Sequence, residues 1–583
     1  MQSMKSIVSL ILSVVGCGLG LLGLLADSQM LGAPPRGTGD DNEPAPCLSE
    51  AVIQVTASRS PITLGESSVV SWSVKLPSQC GGVHVKLNGV PVATSGNQSV
   101  SPVRSMAFTV VVSETRLGVY GEKRAFTRVE VGYPPRVVID PSTRDPVQVL
   151  IAALTDSKNA TQTIELCNVD LDLTGQSVVI DSGRSLIASP RCARGPRSLG
   201  PRIFVTDARR EDKPLFVIRG DNVLFSGFRL EGPTSEIGAG EERREYGIQI
   251  YPFESPDPIN NIEISNMEIF HWSGAGIYVG DNTVQAERGR LFNTNENAVR
   301  ITNNFIHHNR HGDGYGYGVD VVGGAYALIA HNVFDENRHA IAGGSSDGKK
   351  DFSGYTAREN LILSGGGLHC SERWYNGITG WRLFNCWQTH QIDMHGNESR
   401  LFLGDACCGL AGETILVERN TILYTKGLAI KIRGNPVDKA VVDGCVFKHK
   451  SKTDAIDQNG APGWLGVFGG DNISNPIDVR PNNVFDADPT TELASCDFVG
   501  GRQQDQFMAT GVTWWAFSTL TNQWRYLNTM PQKLSELQLG DVDGDGVCDV
   551  TLKPRPGELL PGKYSKSGTS PWLLRVVQGP PLP

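Results

Sequence analysis

Nine of the eleven histidines of this 583-residue chain fall between His271 and His395. Imidazole titrates near neutrality, so such a cluster is a candidate for proton transfer. Two segments repeat within it: Asn309-Arg310-His311 returns 28 residues later as Asn337-Arg338-His339. If that step is one coil of a stacked structure, His311 lies over His339 and Arg310 over Arg338, about 4.8 Å apart. A ladder of cations is stable only against carboxylates or an anionic ligand. Asp313, Asp320 and Asp335 are the nearest acids, and Tyr315 and Tyr317 in the loop GDGYGYGVD can stack on sugar rings or donate protons. Further on, Asp393 and His395 are two apart, as are Lys431 and Arg433. On a strand each pair faces one side.

The chemistry these residues suit is acid–base work on an acidic polysaccharide. His311, His339, Asp393 and His395 would supply acid and base. Arg310, Arg338, Lys431 and Arg433 would bind and neutralise a uronate carboxylate, with Tyr315, Tyr317 and Asp320 completing the substrate site. β-Elimination or C5-epimerisation needs those parts, because the proton beside a carboxylate becomes acidic only when the charge is neutralised. A glycoside hydrolase needs instead a pair of carboxylates, for which Asp320 and Asp393 are the candidates. A glycan-binding or adhesion protein without turnover is the third reading. His331 occupies a repeat position and is read as structural.

Positioning these residues falls to a repeat. ITNNFI (Ile301–Ile306), IAHNVF (Ile329–Phe334), ARENLI (Ala357–Ile362) and VERNTI (Val417–Ile422) share a frame, with VDGCVF (Val442–Phe447) a looser copy. Asn304, Asn332 and Asn360 are 28 apart, and Asn420 follows after 60, which suggests two coils with extra loop. A short alternating strand with an in-register Asn is a solenoid signature, and stacked Asn side chains can satisfy turn amides inside the coil. On these motifs the chain resembles the pectin-lyase-like family of right-handed parallel β-helix proteins over roughly residues 140–485. Asp393-Met394-His395-Gly396 is similar to the Asp-Pro-His motif of β-helix alginate C5-epimerases, with Met in the place of Pro. It is also similar to the Gly-His-Gly motif of polygalacturonases, with Lys431-Ile432-Arg433 where those enzymes have Arg-Ile-Lys. The resemblance implies a polysaccharide or cell-surface glycan as partner.

The flanks read as separate modules. Residues 1–26, with Lys5 before an apolar run, form a signal peptide or membrane anchor, and 27–46 a linker. Alternating runs such as SVVSWSVKL and FTVVVSET make 47–133 an immunoglobulin-like β-sandwich. A helix pattern at Asp145–Leu154 opens the β-helix at 140–486. In 490–555, Asp541, Asp543, Asp545 and Asp549 stand at positions 1, 3, 5 and 9 of a Gly-containing loop. Oxygen ligands at that spacing suit a structural Ca²⁺. The loop, with a degenerate copy 44 residues upstream, resembles the FG-GAP repeats of β-propeller blades; 556–583 is a tail. The expected fold class is thus all-β.

Export implies disulfides. Cys47–Cys80, Cys167–Cys192, Cys370–Cys386 and Cys496–Cys548 are the pairs suggested by spacing; the odd count of eleven after Cys17 leaves at least one unpaired, and the adjacent Cys407-Cys408 keeps that region open. The chain is expected outside the cytoplasm, in the periplasm, on the outer surface or in the surroundings of a bacterium. It would be free or held by the N-terminal segment or a lipid at Cys17, and would touch membrane only there. The net charge of −9 gives no basic excess for nucleic acid.

Overall fold

Strands of two to six residues cannot bury a face alone, so they must stack. In the computed structural model they do so as a right-handed parallel β-helix of three sheets. Eleven strands, from Arg136–Ile139 to Asp478–Val479, form the first sheet; nine beginning at Asp170–Asp172 form the second, and nine beginning at Val178–Ile180 the third. The structure describes residues 48–574, except a few single positions and the stretches 64–65, 78–82, 103–105, 117–118, 133–135, 157–161, 190–191, 193–199, 207–213, 234–244, 252–258, 281–295, 311–314, 345–352, 375–381, 400–405, 460–472, 501–502 and 555–562. His311, Cys47, Cys80 and the N-terminal 1–26 segment lie outside the described residues.

Each coil turns at corners held in the left-handed backbone region. Between the first and second sheets stand Asn303, His331, Glu359 and Arg419, with φ of 51–60°. At the next corner stand His271, His308 and Glu336, at 67°, 53° and 53°. Asn and His tolerate this conformation better than most side chains. Three of the clustered histidines are therefore corner residues, and part of the clustering has a backbone cause.

The residue after each first corner points inward. Asn304, Asn332, Asn360 and Asn420 form a buried column. In each step the Oδ1 of one Asn accepts from both the backbone N–H and the side-chain Nδ2 of the Asn one coil before, at 2.9–3.1 Å. The Nδ2 groups also donate to main-chain carbonyls at Ile264, Ile301, Ile329 and Ala357. Asn360 bonds directly to Asn420, so the 60-residue interval is one coil, not two. The excess leaves the solenoid as the hairpin Leu368–Trp374/Arg382–Gln388 and the pair Glu398–Ser399/Ala406–Cys408.

The helix Pro146–Thr155 lies at the N-terminal end, with Leu150, Ala153 and Leu154 buried in the solenoid core. Before it, strands between Val52 and Val129 pair antiparallel in two sheets around Val70, Trp72 and Val110. After the solenoid come two four-stranded antiparallel sheets, Leu493–Asn528 and Leu537–Leu574. The first docks on the second sheet of the solenoid, where Met508 and Trp515 pack with Val333, Leu361 and Leu423. Cys167–Cys192, Cys370–Cys386 and Cys496–Cys548 are disulfides, and Cys445 is a buried free thiol. No helix among the described residues is long and apolar enough to cross a membrane.

Candidate functional site

The third sheet carries the acid–base residues. Alternation sends Val319, Val321, Ile341, Ile392, Met394, Ile430 and Ile432 into the core. Their neighbours face outward along one rung. Tyr278 pairs with Asp320, Asp320 with Ala342, and Asp393 with Lys431, which pairs with Asp457. Because Ile341 pairs with Ile392, Ala342 and Asp393 are adjacent on this rung. Asp320 and Asp393 are thus two strands apart, about 9.6 Å between backbones, with only the methyl of Ala342 between them. A second rung at the strand starts places Ala275, Tyr317 and His339 side by side.

Asp393 is the hub. Its carboxylate is fully buried and meets Arg433 through Nε at 3.1 Å and Nη2 at 3.0 Å. His390 Nε2 lies 3.1 Å from Oδ1 and also 3.1 Å from Arg433 Nη2. His395 Nε2 is 2.7 Å from Oδ2, out of line for a hydrogen bond, and His339 Nε2 is 3.9 Å away. His339 Nδ1 must donate to the His390 carbonyl oxygen, at 2.5 Å. That leaves Nε2 as a lone pair turned towards Asp393 when the ring is neutral. The rings of Tyr317, His339 and His390 form a column, with centroids 5.6 and 4.3 Å apart.

The two aspartates are pushed in opposite directions. Burial, and then the charge of Asp393, raises Asp320 to about 7, against a smaller pull from Arg338. Burial would raise Asp393 too, but Arg433, His390 and His395 outweigh it and hold it well below the usual carboxylate range. Burial and Arg338 depress His339, and burial is the main cause that takes His390 down to about 4, so both rings are neutral at pH 7. Burial also lifts Tyr317 to about 12.

The residues expected to bind carboxylate have protein partners. Arg338 donates to Tyr317 Oη at 3.1 Å and reaches His369 Nδ1 at 2.9 Å. Lys431 pairs with Asp457 at 3.2 Å, and Arg433 is held by Asp393. Arg310 does not stack on Arg338; its guanidinium pairs with Glu336 at the corner. The 28-residue step ends at Asn309 and Asn337, which do stack. His339 has Tyr317 as its partner across the sheet, eight residues beyond Asn309, where Asn337 is two residues before His339. Tyr315 is half-buried, its ring 6.1 Å from Tyr317.

Three residues escape the sequence reading. His390 precedes its strand, so alternation says nothing of its direction, although its place three residues before Asp393 was a usable signal. His369 comes from the excursion hairpin, stacked on Trp387 at 4.3 Å. Tyr355 reaches through the core to donate to the Asp393 carbonyl at 2.9 Å. The four acidic residues of the C-terminal loop are far along the chain in another module. There, oxygens of Asp541, Asp543 and Asp549 lie within 4.8 Å of one another, while Lys566 Nζ contacts Asp543 at 2.6 Å and Asp545 at 3.0 Å.

No family model matches the chain, and no curated protein matches it. Among solved structures, it is similar to the tailspike protein of E. coli bacteriophage HK620, in complex with a pentasaccharide, at 15% identity. The match covers 60% of this chain and 66% of that one, just under two thirds of its length, with a TM-score of 0.25.

Proposed function

We propose that the chain is an exported glycan-processing protein, a glycoside hydrolase with Asp320 as general acid and Asp393 as general base. The observation that carries this reading is the pair itself: two outward carboxylates, one raised to about 7 and one held low, across the small Ala342. Environments that drive two acids apart in this way assign their roles. Protonated Asp320 gives its proton to the glycosidic oxygen as the bond to the anomeric carbon breaks. Ionised Asp393 takes a proton from the water whose oxygen forms the new bond. A separation of two strands leaves room for that water and goes with inversion. His395, 22% exposed at its side chain, covers the approach to Asp393 Oδ2 and opens a way for water by rotating. Arg433 and His390 hold the base ionised and in place. The disulfides Cys167–Cys192, Cys370–Cys386 and Cys496–Cys548 support the exported reading.

The test is release of new reducing ends from a polysaccharide panel by the purified chain. Asp320→Asn and Asp393→Asn should each cut the rate by about 10²–10⁴ with circular dichroism unchanged. No new reducing ends from any glycan would sink the proposal. The lyase or epimerase reading keeps one point of support, the His339 Nε2 lone pair. It predicts unsaturated product or proton exchange at C5 instead, and it needs a cation released from its present partner.

We further infer that the Asp541–Asp549 loop holds a structural Ca²⁺. An all-oxygen donor set supports this. Lys566 would have to swing away to admit the ion.

A further inference from the structure

A separate cleft opens on the outer face of the second sheet. Strand Gln523–Asn528 of the C-terminal module lies there against strand Phe305–His307 of the solenoid. The cavity measures about 370 Å³, within the usual size of a ligand pocket. Its lining combines the rings of Phe305, Trp524 and Tyr526 with the amides of Asn303 and Gln523 and the carboxylate of Glu268. Glu268 Oε1 lies 3.1 Å from His307 Nε2, but Oε2 is buried and accepts no hydrogen bond. A carboxylate oxygen without a donor is costly, and in a side chain that lines a cavity a small turn would let a ligand hydroxyl supply one.

The surroundings are held firmly. His307 is stacked between Phe305, at 4.1 Å, and Phe270, at 4.9 Å. Tyr526 stacks on His331 at 4.0 Å, and its hydroxyl meets Thr529 at 2.7 Å. Trp524 packs against Phe517 at 5.3 Å and stays half-buried. Aromatic faces beside an acceptor short of donors match a sugar ring, whose C–H face packs on the rings while its hydroxyls donate. The charges nearby argue for a neutral sugar. His331 is paired with Glu359, and the Arg525 guanidinium donates to the carbonyl of Phe498 and has its charge offset by Asp505 and Asp497. That leaves the Glu268 oxygen to repel a carboxylate.

We propose that this cleft is a second glycan site, which takes a sugar unit of a neutral polysaccharide between the solenoid and its C-terminal module. It lies on a different sheet from Asp393, so it serves to hold polymer rather than to cut it. The choice of ligand class rests on the glycan reading above.

The experiment uses the full chain carrying Asp320→Asn, to prevent turnover. It is titrated with neutral hexasaccharides of glucose, mannose and galactose, followed by saturation-transfer NMR. At least one should bind, and Trp524→Ala or Glu268→Gln should weaken it tenfold or more, while Glu336→Gln leaves it unchanged. If Trp524→Ala fails to fold, Glu268→Gln, which keeps the volume, decides. Binding by no hexasaccharide, binding that Glu268→Gln leaves intact, or binding of tetramethylammonium in their place would overturn the proposal. Cleft binding without cleavage by the unmodified chain would sink the hydrolase reading and leave this one standing.

Discussion

The buried Asn column and the Asp393 cluster sit in the same coils, yet they treat their polar atoms differently. In the column, the Oδ1 atoms of Asn332, Asn360 and Asn420 each accept twice, and the donors reach main-chain carbonyls. In the cluster, Asp393 Oδ2, His339 Nε2 and His395 Nε2 are buried without a well-directed hydrogen bond. Native structures rarely leave such atoms unsatisfied. A network made only to hold the coils together has no reason to stop short of saturation. One made to meet a substrate and water does. On the function proposed above, the difference separates polar residues that build the solenoid from those that would act on something outside it.

The comparison breaks first if the column is dispensable. Asn332→Ala would orphan the backbone and side-chain donors of Asn304, the carbonyl of Ile301 and part of Asn360 Oδ1. At about 1 kcal/mol or more for each lost partner, the loss should reach about 3–5 kcal/mol, read as a fall in the urea midpoint. A loss below about 1 kcal/mol would show that the column is not what registers the coils.

The cluster should behave in the opposite sense. Asp320 keeps its proton in the fold up to about pH 7, whereas in the unfolded chain it ionises near the ordinary carboxylate value. Stability from this group is therefore full in acid and is lost as the pH rises towards 7. Asp320→Asn removes that loss. It should raise stability relative to the unmodified chain by about 2–4 kcal/mol near pH 8, with little change near pH 4. A difference that does not vary with pH would mean that Asp320 is not held protonated. A gain in stability with a loss of cleavage would be the mark of a functional acid.

The smallest effect belongs to the C-terminal loop. Lys566→Met removes the ammonium that now contacts Asp543 and Asp545. Calcium affinity by titration calorimetry should rise several-fold, and the thermal midpoint should rise when calcium is added. No heat of binding in either protein would end the calcium reading.

The fold was legible because the spacing of Asn304, Asn332 and Asn360 is itself the register of the coils. The site was legible in its members but not in its arrangement. Alternation put Asp393 on one face with His395 and Lys431 on one face with Arg433, and the need of a hydrolase for two carboxylates nominated Asp320 beside Asp393. It failed where the chain leaves the repeat. Tyr317 is the neighbour of His339 in the sheet, a pairing that the 28-residue step does not give. The insertion after Asn360 looked like a second coil, although Asn420 bonds straight to Asn360. Burial decides the charge states of Asp320 and His339, and burial is not a property of spacing.

The 28-residue and 60-residue intervals close with the same bond lengths: 2.9 and 3.1 Å for Asn332 to Asn360, and 3.0 and 2.9 Å for Asn360 to Asn420. The length of chain between two corners thus has no vote in how the coils stack. The two excursions, the hairpin from Leu368 to Gln388 and the pair from Glu398 to Cys408, can be lengthened, shortened or exchanged while the strand Ile392–Met394 between them and the solenoid beneath keep their order. For a protein of the proposed kind, meeting changing targets, that separates heritable scaffold from replaceable tooling. New loops can be tried without refolding the rod that carries them.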